Sequence, residues 1–265
     1  MGSATREALL AGTQALAAAG SVDLKTVTDL FAVGRAVGDN AQLRALLADP
    51  AAEAEFKVAA TDSVFGKAIG GNALALLRAA VSQRWSSQED LLAGIEDLGL
   101  RAAAVSAGAD AATITDELFE FGRVVASDAE LELALGSKLG KAADKVAVVG
   151  KLLQGKFLPQ TAAIVEQLVA QPRGRRIREL LRTAAATVAD QQGFAIATVT
   201  SAVPLSAAQV ERVAAGLTAQ YGRNLRVNQI LDPAIIGGLR VQIGDDVFDG
   251  SVATRLSELR LQLAG

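Results

Sequence analysis

At 265 residues and 51% apolar composition the chain is long enough for two domains with at least one sizeable core, since domains usually run about 100 to 200 residues. It contains no cysteine and no histidine, which excludes the usual structural zinc sites, thiol nucleophiles, disulfides and imidazole bases. With 26 basic against 29 acidic side chains the formal charge is -3, so no net electrostatic pull toward nucleic acid or anionic membrane exists and protein surfaces are the expected partners.

The opening Met1-Gly2-Ser3-Ala4-Thr5-Arg6 fails the myristoylation pattern, because Arg6 stands where Ser or Thr is needed. No apolar run approaches the length of a membrane span, and no signal peptide opens the chain. A soluble protein is expected.

Residues 1 to about 192 read as helix after helix, rich in Ala, Leu, Arg and Glu, with Gly, Asp and Pro as punctuation. Apolar residues recur at Ile114, Leu118, Phe121 and Val125, and again at Ile177, Leu181, Ala184 and Val188, the spacing of one buried helix face. Another helix is expected after Trp85, with Leu91, Ile95, Leu98, Ala102 and Val105 on one side and Trp85 itself as a packing anchor. Self-comparison aligns Leu30-Phe31-Ala32-Val33-Gly34-Arg35 with Leu118-Phe119-Glu120-Phe121-Gly122-Arg123, an offset of 88 from Gly34 to Gly122. Leu43, Leu47 and Lys57 fall on Leu131, Leu135 and Lys145 at the same offset, and with one inserted residue Gly66, Arg84 and Leu92 fall on Gly155, Arg173 and Leu181. This register points to a tandem duplication; two copies are too few for a solenoid.

After Gly193 the composition turns β-branched, and Phe194 to Thr200 reads as a strand. Ser206-Ala207-Ala208-Gln209 has the form of a capping box, opening a helix with Val210, Ala214, Leu217 and Tyr221 on one face and an end near Gly222. Leu225 to Leu231 is a second strand, and Leu239, Val241 and Ile243 alternate with Arg240 and Gln242 in a third. Gly244-Asp245 signals a hairpin that returns through Asp246 to Asp249. Ser251 can then cap a terminal helix whose apolar face is Val252, Leu256, Leu259 and Leu263. The fold class is therefore α+β: a duplicated all-α bundle followed by a small β-α-β-β-α domain.

The stretch Leu231-Asp232-Pro233-Ala234-Ile235-Ile236-Gly237-Gly238-Leu239, followed by the alternating strand and then Asp249-Gly250-Ser251, resembles the signature of the F-type ATP synthase delta subunit family, to which the mitochondrial oligomycin-sensitivity-conferring protein belongs. Upstream, Val199-Thr200-Ser201-Ala202-Val203-Pro204-Leu205-Ser206 is similar to the family's passage from strand to helix. The resemblance implies a stator subunit in the peripheral stalk, without cofactor, metal or catalysis of its own, at the cytoplasmic face of the cell membrane. An N-terminal six-helix domain would hold the catalytic head through the N-terminal helix of an alpha subunit, and a C-terminal domain would hold the b-type stalk. Residues 85–192 then correspond to the six-helix domain, 193–265 to the stalk-binding domain, and 1–84 to an extra partial helical copy, with the helix near 87–107 shared. This matches the longer delta subunits of high-GC Gram-positive bacteria, and the extra copy is either a second docking groove, a longer contact along the stalk or a spacer. The family's Tyr-Ala-x-Ala-Leu pattern is absent from both Arg6-Glu7-Ala8-Leu9-Leu10 and Glu89-Asp90-Leu91-Leu92-Ala93, so no head-contacting residue carries over. The signature residues Pro204, Leu205, Asp232, Pro233, Gly237, Gly238, Asp249, Gly250 and Ser251 are expected to serve architecture, and Val252, Leu256, Leu259 and Leu263 are the candidates for partner contact.

Two rival functions have weaker support. Asp245 with Asp246, or Asp232 with Asp249, have the composition of a metal or acid-base pair, but acids in a glycine-containing hairpin are ordinarily solvated, and Gly237-Gly238 lacks the Lys and Ser/Thr of a phosphate loop. The densest basic run, Pro172-Arg173-Gly174-Arg175-Arg176-Ile177-Arg178, lacks the aromatic residues of a nucleic-acid platform and is expected to be a solvated face.

Overall fold

The computed structural model describes residues 2–136, 140–235, 237–244 and 246–249. The chain forms two compact units, Met1–Gln191 and Gln192–Gly265. The first is helical throughout its described residues: α1 (Ser3–Ala18), α2 (Leu24–Asp39), α3 (Ala41–Ala48), α4 (Ala54–Phe65), α5 (Gly71–Val81), α6 (Gln88–Ala107), α7 (Ala111–Ser127), α8 (Ala129–Gly136), α9 (Ala142–Leu153), α10 (Pro159–Ala170) and α11 (Ile177–Gln191), with a single 3-10 turn at Gly108–Asp110.

Local chemistry sets many of these boundaries. The Asp23, Asn40 and Ser87 side chains accept hydrogen bonds from the third backbone N–H of α2, α3 and α6, satisfying donors that the helix leaves open. Pro159 opens α10 at the position where its missing N–H costs nothing. The stripe Ile114, Leu118, Phe121 and Val125 is buried on α7, and Ile177, Leu181, Ala184 and Val188 on α11, as their spacing predicts. On α6 the expected one-sided stripe is too narrow. Leu92, Gly94, Glu96, Gly99, Leu100, Ala103 and Ala104 are buried as well, while Val105 is 40% exposed. The reason is that α6 packs on both sides of itself in sequence, against α1, α2 and α5 and against α7, α10 and α11. Trp85 is an anchor at its start, 4% exposed, with Nε1 donating to Ala80 O at 2.9 Å and its ring lying over Gly94 so closely that no Cβ would fit there.

The second unit carries β1 (Phe194–Ser201), α12 (Ala207–Tyr221), β2 (Asn224–Leu231), β3 (Leu239–Ile243) and β4 (Asp246–Asp249). Strand order is β2-β1-β3-β4, with β1 parallel to β2 and antiparallel to β3, and β3 antiparallel to β4. The return after Gly244 is a paired strand in its own right, so the sheet has one strand more than the β-α-β-β-α count. Ser206 and Gln209 form the reciprocal capping box, and α12 ends at Gly222, whose φ of 67° is natural for glycine. The right-handed crossover expected of a parallel β-α-β pair puts α12 over one sheet face, where Leu205, Val213 and Leu217 pack on Ala197, Val199 and Val241. The expected terminal helix with Val252, Leu256, Leu259 and Leu263, together with Gly250 and Ser251, lies outside the described residues.

Candidate partner-binding surfaces

Two separated sequence motifs meet at one end of the sheet. Ser201 is the last residue of β1, and its Cα partners are Leu231 at the end of β2 and Leu239 at the start of β3. The segment Val203-Pro204-Leu205 therefore leaves the sheet beside the loop from Asp232 to Gly238. Asp249 pairs with Arg240 one step away on β3.

Hydrogen bonds tie these segments together. Ser201 Oγ donates to Val203 O at 2.8 Å, Gln229 Nε2 donates to Ser201 Oγ at 3.3 Å, and the Asp232 N–H donates to Ser201 O at 2.9 Å. Asp232 Oδ1 accepts from the Ala234 N–H at 2.9 Å, a turn closed by a side chain ahead of which Pro233 supplies a fixed φ. Gly237 and Gly238 take φ values of 69° and 84°, the left-handed region where other residues are strained. Pro204, Asp232 and Pro233 are exposed, and Leu205 is half-buried against the sheet core. Asp246 is exposed at the start of β4, and Asp245 lies outside the described residues. Among the described residues no three potential metal ligands gather.

Strand parity puts Ala197, Val199, Val227, Val241 and Phe248 on the face beneath α12, where Tyr221 meets Phe248 edge to face at 6.0 Å. The opposite face carries Thr198, Thr200, Arg226, Asn228, Arg240 and Gln242. Burial raises the Tyr221 hydroxyl above its usual pKa, with the Asp246 charge adding to the effect.

In the helical unit the elements recur at a fixed interval. Moving α3 and α4 by 88 positions gives α8 and α9 end for end; α2 and α5 fall on α7 and α10 within a residue, and α1 falls inside α6. The packings recur too: α1 on α5 and α6 as α6 on α10 and α11, α2 on α3, α5 and α6 as α7 on α8, α10 and α11, and α4 on α5 as α9 on α10. Even a capping contact repeats, for Asp29 accepts from the Gly70 N–H at 2.8 Å and Glu117 from the Leu158 N–H at 3.1 Å. Both partners of that contact are 88 positions apart. The inserted residue therefore falls later than the Gly66 to Gly155 alignment requires, between the start of α10 and the start of α11.

The basic run is not the solvated face expected of it. Arg173 and Arg175 both reach Glu96 of α6 at 2.9 Å, and Arg178 pairs with Glu132 at 2.9 Å. Arg173 is held at a φ of 49° in the turn before α11, and its side chain is only 13% exposed. Burial pulls its pKa down while the Glu96 carboxylate pulls it up, with burial the larger effect. Sequence reasoning missed this cluster, although Glu96, one of two adjacent acids in the otherwise apolar stretch Leu91 to Leu100, was its signal.

The family model described as "ATP synthase delta (OSCP) subunit" matches residues 100–263, beginning within α6. A protein named ATP synthase subunit delta from Leifsonia xyli is 55% identical over the whole of both chains. Those of Streptomyces griseus and Acidothermus cellulolyticus are 39% and 40% identical, over the whole of both chains in the first case and 89% of this chain and 87% of the relative in the second. The region ahead of the family match is thus shared by relatives of the same length.

Proposed function

Because this chain belongs to the ATP synthase delta (OSCP) subunit family, we propose that it is the stalk subunit that fastens the catalytic head of an F-type ATP synthase to its b-type stalk. The observation that carries the reading is the match of residues 100–263 to the family together with full-length identity of 55% to a relative of that name. Two compact units in one chain suit a part that must hold something at each end. In this reading the helical unit takes the N-terminal helix of an alpha subunit and the sheet unit takes the b-type subunits.

The work is mechanical. The subunit keeps the head stationary while the central rotor turns, and proton flow is thereby coupled to synthesis. In this reading membrane association comes through the complex, at its cytoplasmic side; no described helix is itself long and apolar enough to cross a membrane. The domain limits 1–84, 85–192 and 193–265 go with this reading, the first being a second, partial copy of the helical domain. Pro204, Asp232, Pro233, Gly237 and Gly238 serve it by fixing the loops at one end of the sheet, and the segment with Val252, Leu256, Leu259 and Leu263 serves stalk attachment.

The test is a pull-down with the tagged full chain from detergent-solubilised membranes. Recovery of alpha, beta and b subunits is the expected result, and recovery of none overturns the assignment. Heads lacking the chain should still hydrolyse ATP, whereas reconstituted membranes lacking it should fail to couple proton flow to synthesis.

A further inference from the structure

Helices α6 and α11 are counterparts once the inserted residue is allowed for, since Gln88 falls on Ile177, yet α6 runs for 20 residues and α11 for 15. At the position equivalent to Ala102 the second helix stops, at Gln191, and the chain passes through Gln192 and Gly193, with a φ of 81° at the glycine, into β1. A pull on the sheet unit along the chain therefore arrives first at the last turn of α11. That turn carries no basic residue of its own to meet the partial negative charge of its open carbonyls.

The missing cation comes from α6. Arg101, whose side chain is 16% exposed, donates from Nη1 to Asp190 Oδ2 at 3.0 Å and to Gln191 Oε1 at 3.4 Å, while its Nε donates to Asp97 Oδ2 at 2.8 Å. Asp97 stands one turn before Arg101 on the same helix, so the pair fixes the guanidinium on α6 and turns its other edge to α11. Val188 and Ala189, both fully buried, hold the same turn by apolar packing. In the first half the positions 88 residues before Asp97 and Arg101 are Leu9 and Thr13, and the Thr13 hydroxyl donates to Leu9 O of its own helix at 3.0 Å. The charged grip thus belongs to the helix end from which the sheet unit departs, and it has no charged equivalent at Ala102, where α6 simply continues.

We propose that Arg101 is a positioning residue, which pins the last turn of α11 to α6 so that a pull on the sheet unit enters the helical unit through the helix common to its two halves instead of unwinding α11 from its end. The load in this proposal rests on the stator reading; the pin rests on the geometry alone. A guanidinium suits the task better than an ammonium, because its rigid fork meets three acceptors on two helices at once. Loss of the pin leaves the core of each unit intact and frees the segment that joins them.

The experiment uses the full chain and amide exchange resolved by residue. Asp190→Ala with Gln191→Ala removes the acceptors on α11 and leaves the Asp97 pair in place, whereas Asp97→Asn with Arg101→Met removes the grip from the α6 side without stranding a buried charge. Either pair of substitutions should lower protection at positions 189 to 191 at least about tenfold, with the Trp85 transition in urea moved far less, and combining the two pairs should add nothing. Unchanged protection in that turn, loss spread evenly along α6 and α11, or additive effects of the two pairs would overturn the pin. The first pair alters only the end of α11, so it decides the matter should the second not fold. The load is tested in reconstituted membranes carrying equal amounts of bound wild-type chain or of the first pair, where ATP synthesis should be partly lost with hydrolysis by the heads unchanged; equal synthesis would overturn the positioning role. A wild-type chain that recovers no alpha, beta or b subunit would instead remove the stator reading and leave the exchange result standing.

Discussion

The helical unit and the sheet unit are built on different resources. In the first, apolar side chains from Ala8 to Val188 form one continuous core to which each of α1 to α11 contributes. In the second, the described core is Ala197, Val199 and Val241 with half-buried neighbours, and α12 has no fully buried residue. Definition there comes from paired strands, the capping box and the tied loops at one sheet end. The contrast teaches where each unit is vulnerable: the helical unit to lost volume, the sheet unit to lost caps and turns.

The hardest test of that contrast removes volume. Phe31 is 2% exposed and seated over Gly99, so Phe31→Ala should cost the helical unit about 3–5 kcal/mol. The chain has a single tryptophan, Trp85, whose fluorescence in urea reports this unit alone. Amide exchange in β1 should stay unchanged; a parallel loss of protection there would mean that the units do not melt separately.

A slightly smaller effect is expected from charge. Glu96→Ala strands Arg173 and Arg175 beside a buried position and should cost on the order of 3 kcal/mol, because removing one partner of a buried pair leaves the other uncompensated. Arg178→Ala breaks the exposed pair with Glu132 and should cost less than about 1 kcal/mol in the same urea titration. Equal costs would show that Glu96 is not buried as described.

For the sheet unit the informative change is a cap. Ser206→Ala removes the hydrogen bond to the Gln209 N–H and should destabilise by about 1 kcal/mol, seen as faster amide exchange in α12 and β1 with the Trp85 transition unmoved.

The smallest effect is a pH dependence. Burial raises the pKa of Asp97 above its usual value, outweighing the pull of the Arg101 guanidinium 2.8 Å away. A carboxyl raised in this way takes up its proton at higher pH in the folded chain than in the unfolded one. Its contribution to stability therefore falls as pH rises from the unfolded pKa through the folded one. Asp97→Asn should flatten that slope, which thermal melts of both proteins across the acid range would reveal.

Much of this architecture was legible in the sequence where the signal is local. Leu239 to Ile243 and the Ser206 capping box appear where alternation and cap chemistry put them, and the stripes of α7 and α11 are buried as read. The offset of 88 was visible in Gly34-Arg35 and Gly122-Arg123 because a turn-by-turn register survives divergence. What failed depends on distant partners. A helix buried on nearly every side, such as α6, loses its one-sided period, so its second face could not be read. The basic run looked solvated because the acid that neutralises Arg173 and Arg175 lies some 80 positions earlier in the chain, at Glu96. Strand order is likewise silent in sequence: nothing in Leu225 to Leu231 says that it pairs parallel to β1 at the sheet edge. The gathering of Pro204 and Asp232 at one sheet end follows only from that pairing.

Helix α6 has one more consequence, which concerns load. Its twenty residues belong to the packing of both halves, so neither half keeps a complete bundle when the other opens. Two bundles joined by a linker would give way one after the other under tension, each rupture releasing slack. A pair that interlocks through a common helix has no such intermediate length. Pulled from its ends in an optical trap, the helical unit should hold its extension and then release in a single step, which is the response wanted of a stiff strut rather than of a spring.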